Sequence, residues 1–327
     1  MNSFEWANAT SVAEAQTLRE EGTVFKAGGV DLLDLMKERI ATPKRVVNIR
    51  EMTGFDHITP GDDGSLKLGP MVTLSRIEQD KFIRERFTAL ADACGHAATP
   101  QIRNMATVGG NLLQRPRCWY FRSEQFPCRK KGGEICFAQQ GENQYHAIFN
   151  NGVCAIVHPS AAAVALVALG ATIELTGDKG AKREMKLEEF FILPNVDVTR
   201  ENKLQPGEIL TEIRIPALPK GARSAYIKQG EKESMDWPVA EAAAVLEMDG
   251  DKCKSASIVL GAASPVPRRA KEAQTALKGE SVTVELARAA AEATLADASP
   301  MTNNGYKIPL FTTIISRTIL AAAGVKA

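Results

Sequence analysis

Apolar residues along the chain fall into short runs whose spacing alternates between the helical and the strand period. Ser11-Val-Ala-Glu14 is a capping-box pattern; Val12, Ala15 and Leu18 then share one helical face, with Gly22 as the stop. Residues 24–26 read as a strand that runs into Ala27-Gly-Gly-Val-Asp31. A helix carrying Leu32, Leu33, Leu35 and Met36 follows, and 45–49 is a short buried strand. From 75 to about 97 the period is helical, through Ile77, Phe82, Ile83, Leu90 and Ala91. An alanine-rich helix is predicted over 161–169, and strands over Thr172–Thr176 and Ile209–Ile215. Pro216, Pro219 and Gly221 mark the best domain boundary. Beyond it, strands at 242–248 and 256–260 face each other across Asp249-Gly250, a hairpin signal. Helices are predicted at about 268–278, closed by Gly279, at 284–296, and at 309–323 with Pro309 near the first turn. No internal repeat is visible.

One stretch, 115–152, shows no steady period and is rich in Arg, Lys, Gly, Asn and Gln. So long an irregular segment inside a compact domain is usually functional or disordered. Disordered segments are poor in aromatic residues, whereas this one carries Trp119, Tyr120, Phe121, Phe126, Phe137 and three cysteines, with a fourth, Cys154, two residues past its end.

At 327 residues the chain is long enough for two or three domains, and 44% hydrophobic with 24% charged residues is ordinary for a globular protein. A net charge of +1 gives no reason to expect nucleic acid as the main partner. No apolar run approaches the roughly 18 residues of a membrane span. The start, Met1-Asn-Ser-Phe-Glu-Trp-Ala, lacks the basic and apolar regions of a secretory signal. Location is therefore open between the cytoplasm and a bacterial periplasm reached by co-export with a signal-bearing partner.

Cys94 and Cys253 stand apart and read as buried core thiols. Cys118, Cys128 and Cys136 lie in the irregular stretch and Cys154 just past it, at gaps of nine, seven and seventeen residues. Thiolates suit iron–sulfur clusters, zinc or copper(I). Structural zinc favours close cysteine pairs, which are missing here; a 4Fe–4S cluster needs only four thiolates. Four unrelated thiols are the bland alternative. Arg115, Arg117, Arg122, Arg129, Lys130 and Lys131 would offset cluster charge, or else form a solvated loop face. His146 and His158 read as hydrogen-bonding residues rather than ligands. Glu188-Glu189 and Asp62-Asp63 read as solvated pairs, and no catalytic triad or histidine metal pair is present. With no catalytic residues of its own, the chain reads as a carrier of redox cofactors.

Two glycine segments, Ala27-Gly-Gly-Val-Asp31 and Ala106-Thr-Val-Gly-Gly-Asn111, match neither G-x-G-x-x-G nor a P-loop. Each follows an apolar segment, and a β-loop-α opening of this kind can offer phosphate its helix N-terminal amides. With Gly207–Pro216, Ala225-Tyr-Ile-Lys-Gln229, Met235-Asp-Trp-Pro238 and Asn304-Gly-Tyr-Lys-Ile-Pro309, these segments resemble the FAD-binding subunit of the molybdenum hydroxylases, the xanthine dehydrogenase and carbon monoxide dehydrogenase family, over nearly the whole chain. The four cysteines and His158-Pro-Ser160 narrow the likeness to the flavin subunits of bacterial periplasmic aldehyde oxidoreductases, a branch that, like 4-hydroxybenzoyl-CoA reductase, carries a 4Fe–4S cluster in the insert.

The resemblance implies an α+β fold: a two-part FAD-binding domain of the molybdopterin dehydrogenase (PCMH) type over 1–217, with the iron–sulfur insert at about 115–155, and a smaller C-terminal α+β domain over 222–327. It implies that Lys26, Ala27, Gly28, Gly29, Val30, Asp31, Leu32 and Leu33, with Thr107, Val108, Gly109, Gly110 and Asn111, hold the FAD pyrophosphate through backbone N–H groups. Ala97 would lie along the cofactor; Leu210 and Lys228 would approach the isoalloxazine. Cys118, Cys128, Cys136 and Cys154 would ligate the 4Fe–4S cluster. Partners would be a large molybdopterin-binding subunit, a small 2Fe–2S subunit and an external electron acceptor. Ala161 stands where the family commonly has aspartate, which removes one carboxylate contact to FAD. The rival expectations are a free-standing FAD oxidase or reductase and a scaffold subunit that has lost FAD.

Overall fold

A computed structural model describes residues 1–232 and 235–326. The chain opens with three short parallel strands, β1 (Glu5–Asn8), β2 (Thr23–Lys26) and β3 (Arg45–Asn48), in the order β1-β3-β2, crossed over by α1 (Val12–Thr17) and α2 (Val30–Lys37). Ser11 caps α1 by accepting from the Glu14 N–H at 3.2 Å. The Glu14 carboxylate turns back to the N–H and hydroxyl of Thr10, 2.7 Å from each, so the capping box closes one residue early. β1 escaped the sequence pattern because it is a mostly exposed edge strand with no apolar face to alternate.

An antiparallel sheet follows, built from β4 (Ile58–Pro60), β5 (Leu66–Leu68), β6 (Thr172–Thr176), β7 (Lys182–Lys186) and β8 (Ile209–Ile215) in the order β4-β5-β8-β6-β7. Seven helices belong to this part: α3 (Leu74–Gln79), α4 (Lys81–Arg86), α5 (Thr88–Gly95), α6 (Pro100–Met105), α7 (Val108–Leu112), α8 (Ala161–Ala168) and α9 (Leu187–Phe190). The continuous helical period over 75–97 is thus three helices. Asp80 leaves helical backbone (ψ 125) and its carboxylate accepts the Ile83 N–H at 2.9 Å, restarting the helix as an N-cap. Phe87, at φ −129, breaks it again. Every residue of α8 is buried, as expected for a helix apolar all round.

The C-terminal sheet is antiparallel: β9 (Ala222–Gln229), β10 (Ala240–Asp249), β11 (Lys252–Gly261) and β12 (Arg268–Arg269), in the order β12-β11-β10-β9. It carries α10 (Lys271–Leu277), α11 (Val284–Leu295) and α12 (Lys307–Ala323). Asp249 pairs with Lys252, so the turn is Gly250-Asp251, with Gly250 at φ 62. The helix predicted from 268 starts at Lys271 because Arg268 and Arg269 pair with β11. On β10, Ala243 and Val245 pack into the core around α8, while Ala240, Ala242, Ala244 and Leu246 pack against α11 and α12. Alternate residues of one strand therefore join two cores, and small side chains on both faces let the layers approach.

The irregular insert holds only two single turns of 3₁₀ helix, at Arg129–Lys131 and Phe137–Gln139. Docking orders it. Ile148 and Phe149 sit in the C-terminal core, and both of their N–H groups donate to the Ala263 carbonyl. Tyr120, Phe126 and Phe137 pack as a ring cluster with centroids 5.0–5.9 Å apart.

Candidate functional site

A cleft of about 2330 Å³ runs past the C-terminal ends of the parallel strands to the C-terminal sheet. Residues 26–32, Ala97, Thr107, Gly109, Gly110, Asn111, Leu210 and Lys228 all line it; Leu33 and the fully buried Val108 do not. Where β2 ends, Gly29 takes φ 80 as the N-cap of α2. A Cβ on Gly28 would lie 2.3 Å from the Met105 carbonyl oxygen, so the loop can press against the end of α6 only as glycine. Among the described residues, the N–H groups of 27–32 have no acceptor, and the first donor of α2 that is used is Leu33, to Gly29 O at 2.9 Å. A run of open N–H groups at a helix N-terminus is an anion cradle.

The second glycine segment differs from its expected role. Thr107 caps α7 and accepts the Gly110 N–H at 3.1 Å. Val108 N donates to Val72 O, Gly109 N to Pro70 O and Asn111 N to Thr107 O, at 2.8–2.9 Å. The backbone donors of 108–111 are occupied, so they cannot hold phosphate in this arrangement. What the glycines supply is a bare wall: a Cβ on Gly109 would meet Pro70 at 2.8 Å, and one on Gly110 would meet only Thr107 Oγ1, at 3.1 Å. Asn111 Oδ1 accepts from Ser160 at 2.6 Å, tying this wall to His158-Pro-Ser160.

At the other end of the cleft, Lys228 on β9 donates to the carbonyls of His96 and Asp236, 2.7 Å from each. Burial lowers its pKa from the usual lysine range. Behind it His96 stacks on Tyr226 at 6.4 Å, and the Tyr226 hydroxyl donates to the Glu241 carboxylate. Glu241 is fully buried, and burial pushes its pKa up to about 7. Ala161 lines the cleft at the start of α8 and offers no polar atom there beyond its backbone. Sequence reasoning missed His96, Thr99 and Gln205 on the lining. Arg117 lies over the Trp237 ring at 4.6 Å.

All four insert cysteines line a second, much smaller cavity with His146, while Cys94 and Cys253 lie in the two main cores. The Cys136 and Cys154 thiols face each other, which lowers the Cys136 pKa from the usual thiol range and raises that of Cys154. Backbone N–H groups face the sulfurs: those of Tyr120 and Phe121 at Cys118, of Ala138, Gln139 and Ala155 at Cys136, and of Ile156 at Cys154. Such donors suit thiolates. The free space between the sulfurs is about 10 Å³, room for one water. Among the described residues, no three His, Cys, Asp or Glu side chains are placed to hold one metal ion.

The basic residues of the insert mostly pair with carboxylates rather than solvent. Arg117 and Arg122 both reach Asp31 Oδ1 at 2.7 Å, and the Arg115 N–H donates to Asp31 Oδ2 at 2.9 Å. Arg115 and the buried Lys130 pair with Glu201 at 3.1 and 2.7 Å. Arg129 donates to the carbonyls of Glu134 and Val153. Glu188 is exposed, as expected, and is also bound by Arg269 at 2.7 Å. His158 is buried against Phe191, centroids 4.4 Å apart, and its Nδ1 accepts the Ser160 N–H at 3.4 Å.

Residues 2–218 match the family described as the FAD binding domain in molybdopterin dehydrogenase, and 225–322 the CO dehydrogenase flavoprotein C-terminal domain. The aldehyde oxidoreductase FAD-binding subunit PaoB of Escherichia coli (strain K12) is 32% identical over 309 residues, 94% of this chain and 93% of its own. The carbon monoxide dehydrogenase medium chain of Afipia carboxidovorans is 30% identical over 308 residues, 91% of this chain and 88% of its own. Among solved structures, a carbon monoxide dehydrogenase from Hydrogenophaga pseudoflava superposes with a TM-score of 0.77 at 26% identity, covering 100% of this chain and 99% of that one. No helix among the described residues is long and apolar enough to cross a membrane.

Proposed function

The chain belongs to the FAD-binding medium subunits of the molybdenum hydroxylases, oxidoreductases of several subunits, and on that footing we propose that it carries electrons between a partner's iron–sulfur centres and an external acceptor. FAD, when bound, exchanges electrons singly or in pairs, which a chain without catalytic side chains of its own needs. The open N–H groups of residues 27–32 and the N-terminus of α2 would hold the pyrophosphate. Gly109, Gly110 and Asn111 would form the opposing wall, and Ala97, Leu210 and Lys228 would meet the isoalloxazine. Lys228, fixed by two carbonyls, would favour negative charge on the ring. We place the domain division between residues 217 and 222. A large molybdopterin subunit and a small 2Fe–2S subunit are the partners this role requires, and the likeness to PaoB favours aldehydes as the substrate class of the complex. Residence in the cytoplasm, or in a periplasm by co-export, follows from those partners.

The four insert cysteines would hold a 4Fe–4S cluster. Two features support this: all four sulfurs line one cavity, and backbone N–H groups already face three of them. A cube takes one thiolate per iron, so its ligands enclose a volume. Loading would have to part the Cys136–Cys154 pair.

The cleft walled by both glycine segments carries the flavin proposal. A visible spectrum of the purified chain tests it. Flavin bands with a broad shoulder near about 400 nm, the colour of cysteine-ligated iron, are expected. A featureless spectrum would leave a scaffold without cofactor.

A further inference from the structure

Among the described residues, Cys118 is the insert cysteine whose sulfur meets a side-chain nitrogen within hydrogen-bond distance. His146 Nε2 stands 3.2 Å from its sulfur. The imidazole is buried, with its ring edge-to-face against Trp119 at 5.3 Å. Its backbone is clamped from the C-terminal domain. The His146 carbonyl accepts from Asn304 Nδ2 and from the buried Lys307 Nζ, each at 3.1 Å, and its N–H donates to Asn143 O at 3.0 Å. Asn143 in turn accepts from the Asn303 N–H at 2.9 Å. Among the described residues His146 Nδ1 has no partner and the sulfur is the ring's one polar contact. That places the ring proton on Nε2 once the sulfur is a thiolate.

We propose that His146 is a positioning residue for the thiol site, donating Nε2–H to the Cys118 thiolate and thereby raising the reduction potential of the cluster those cysteines hold. The inference rests on the iron–sulfur reading above. Its physical basis is that reduction adds negative charge to the cluster and its sulfurs, and a fixed donor stabilises the reduced form more than the oxidised one. Outer donors of this kind also orient the ligand itself. Through Asn304 and Lys307 the C-terminal domain would set where that donor stands.

The test uses the full chain, purified anaerobically with whatever subunits accompany it. Iron per chain and a spectroelectrochemical titration are measured for wild type, His146→Phe and His146→Gln. The cluster transition is identified as the one missing from Cys118→Ser. Expected are equal iron in all three proteins, a lower potential in the Phe variant and recovery in Gln, whose amide can donate. The Phe shift should reach about tenfold in the one-electron equilibrium, or about 59 mV. Should the Phe variant fail to fold, His146→Met supplies a flexible donorless side chain. An unchanged potential in a loaded donorless variant overturns the proposal. Iron loss in the donorless and Gln variants alike also overturns it, making His146 a ligand or a packing residue. Absence of iron in wild type overturns the cluster reading itself, and this inference with it, before any variant is compared.

Discussion

Asp31 and Arg122 stand 2.7 Å apart, and that pair joins the first turn of the helix at the nucleotide cleft to the cysteine-bearing insert. Asp31 also receives Arg117 and the Arg115 N–H, so one carboxylate at the base of the open N–H run anchors three points of the insert. Leu35, one turn along α2, packs against Phe121 and Cys128. The two candidate cofactor sites therefore share a wall. Order in one is order in the other.

Removing that carboxylate should disturb both. Asp31→Ala takes the nearer carboxylate from two largely buried guanidinium groups, which keep Asp34 at 3.0 and 3.7 Å, and charged hydrogen bonds are worth about 1.5–3 kcal/mol each. The variant should be less stable by about that amount, bind FAD at least tenfold more weakly in a fluorescence titration, and release the 115–155 segment to limited proteolysis. Unchanged FAD affinity together with unchanged proteolysis would show that the two sites are uncoupled.

The glycine segments make unequal demands. Gly28→Val drives a β-branched side chain into the Met105 carbonyl, 2.3 Å from its first carbon, and should empty the cleft of flavin while lowering stability. Gly110→Val meets only the Thr107 hydroxyl at 3.1 Å, so it should fold yet lose FAD because the new side chain fills the wall. Gly152→Ala, with nothing within 4 Å of its Cβ, is the control and should keep both fold and flavin. Stoichiometric flavin in a folded Gly110→Val protein would remove that segment from the site.

Glu241 makes a pH prediction with a definite sign. Its carboxyl is fully buried, and burial raises the folded-state pKa from 4.5 to about 7. The folded state thus binds the proton more tightly than the unfolded state. The contribution of this group is fully present below about pH 4.5 and is lost as pH rises to about 7, roughly 3 kcal/mol in all. Glu241→Gln keeps the shape and a partner for the Tyr226 hydroxyl without the charge. The stability gap in its favour should open between pH 4.5 and 7 and then stay level. Denaturant midpoints across that range measure it, and a gap independent of pH would contradict the assignment.

How much of this was legible in the sequence follows from how local each signal is. The strand at Ile209–Ile215 and the buried helix at Ala161–Ala168 are written in their own spacing, and both stand where predicted. The breaks at Asp80 and Phe87 were hidden because apolar spacing continues across them; only the capping chemistry of Asp80 hinted at one. For the candidate site, the two glycine segments and Lys228 were named on resemblance, and the fold brings them to one cleft. That the N–H groups of 108 and 109 are already used could not be read, because their acceptors at Val72 and Pro70 lie nearly forty residues away and depend on the tertiary fold, whereas those of 110 and 111 are taken locally by Thr107. Glu201 was invisible for the same reason: nothing around it marks a residue that neutralises Arg115 and Lys130.

The sharpest expectation concerns the thiols. Residues 115–155 carry little regular structure, so their order comes from docking and ion pairs, and metal ligation would add to it. Replacing Cys118, Cys128, Cys136 or Cys154 singly by serine removes a soft donor and should lose or degrade the cluster. Cys94→Ser and Cys253→Ser act elsewhere: each puts a hydroxyl into an apolar core, costing about 1–3 kcal/mol, and leaves iron unchanged. The two groups of variants are separated by elemental analysis, since stability alone would fall in both. About four irons per chain beyond those of any 2Fe–2S partner, lost only in the insert variants, is the expected result. Zinc in place of iron would keep the ligand set and change the metal. Metal content indifferent to all four insert substitutions would leave the thiols as packing residues, held together by the aromatic cluster of Tyr120, Phe126 and Phe137 alone.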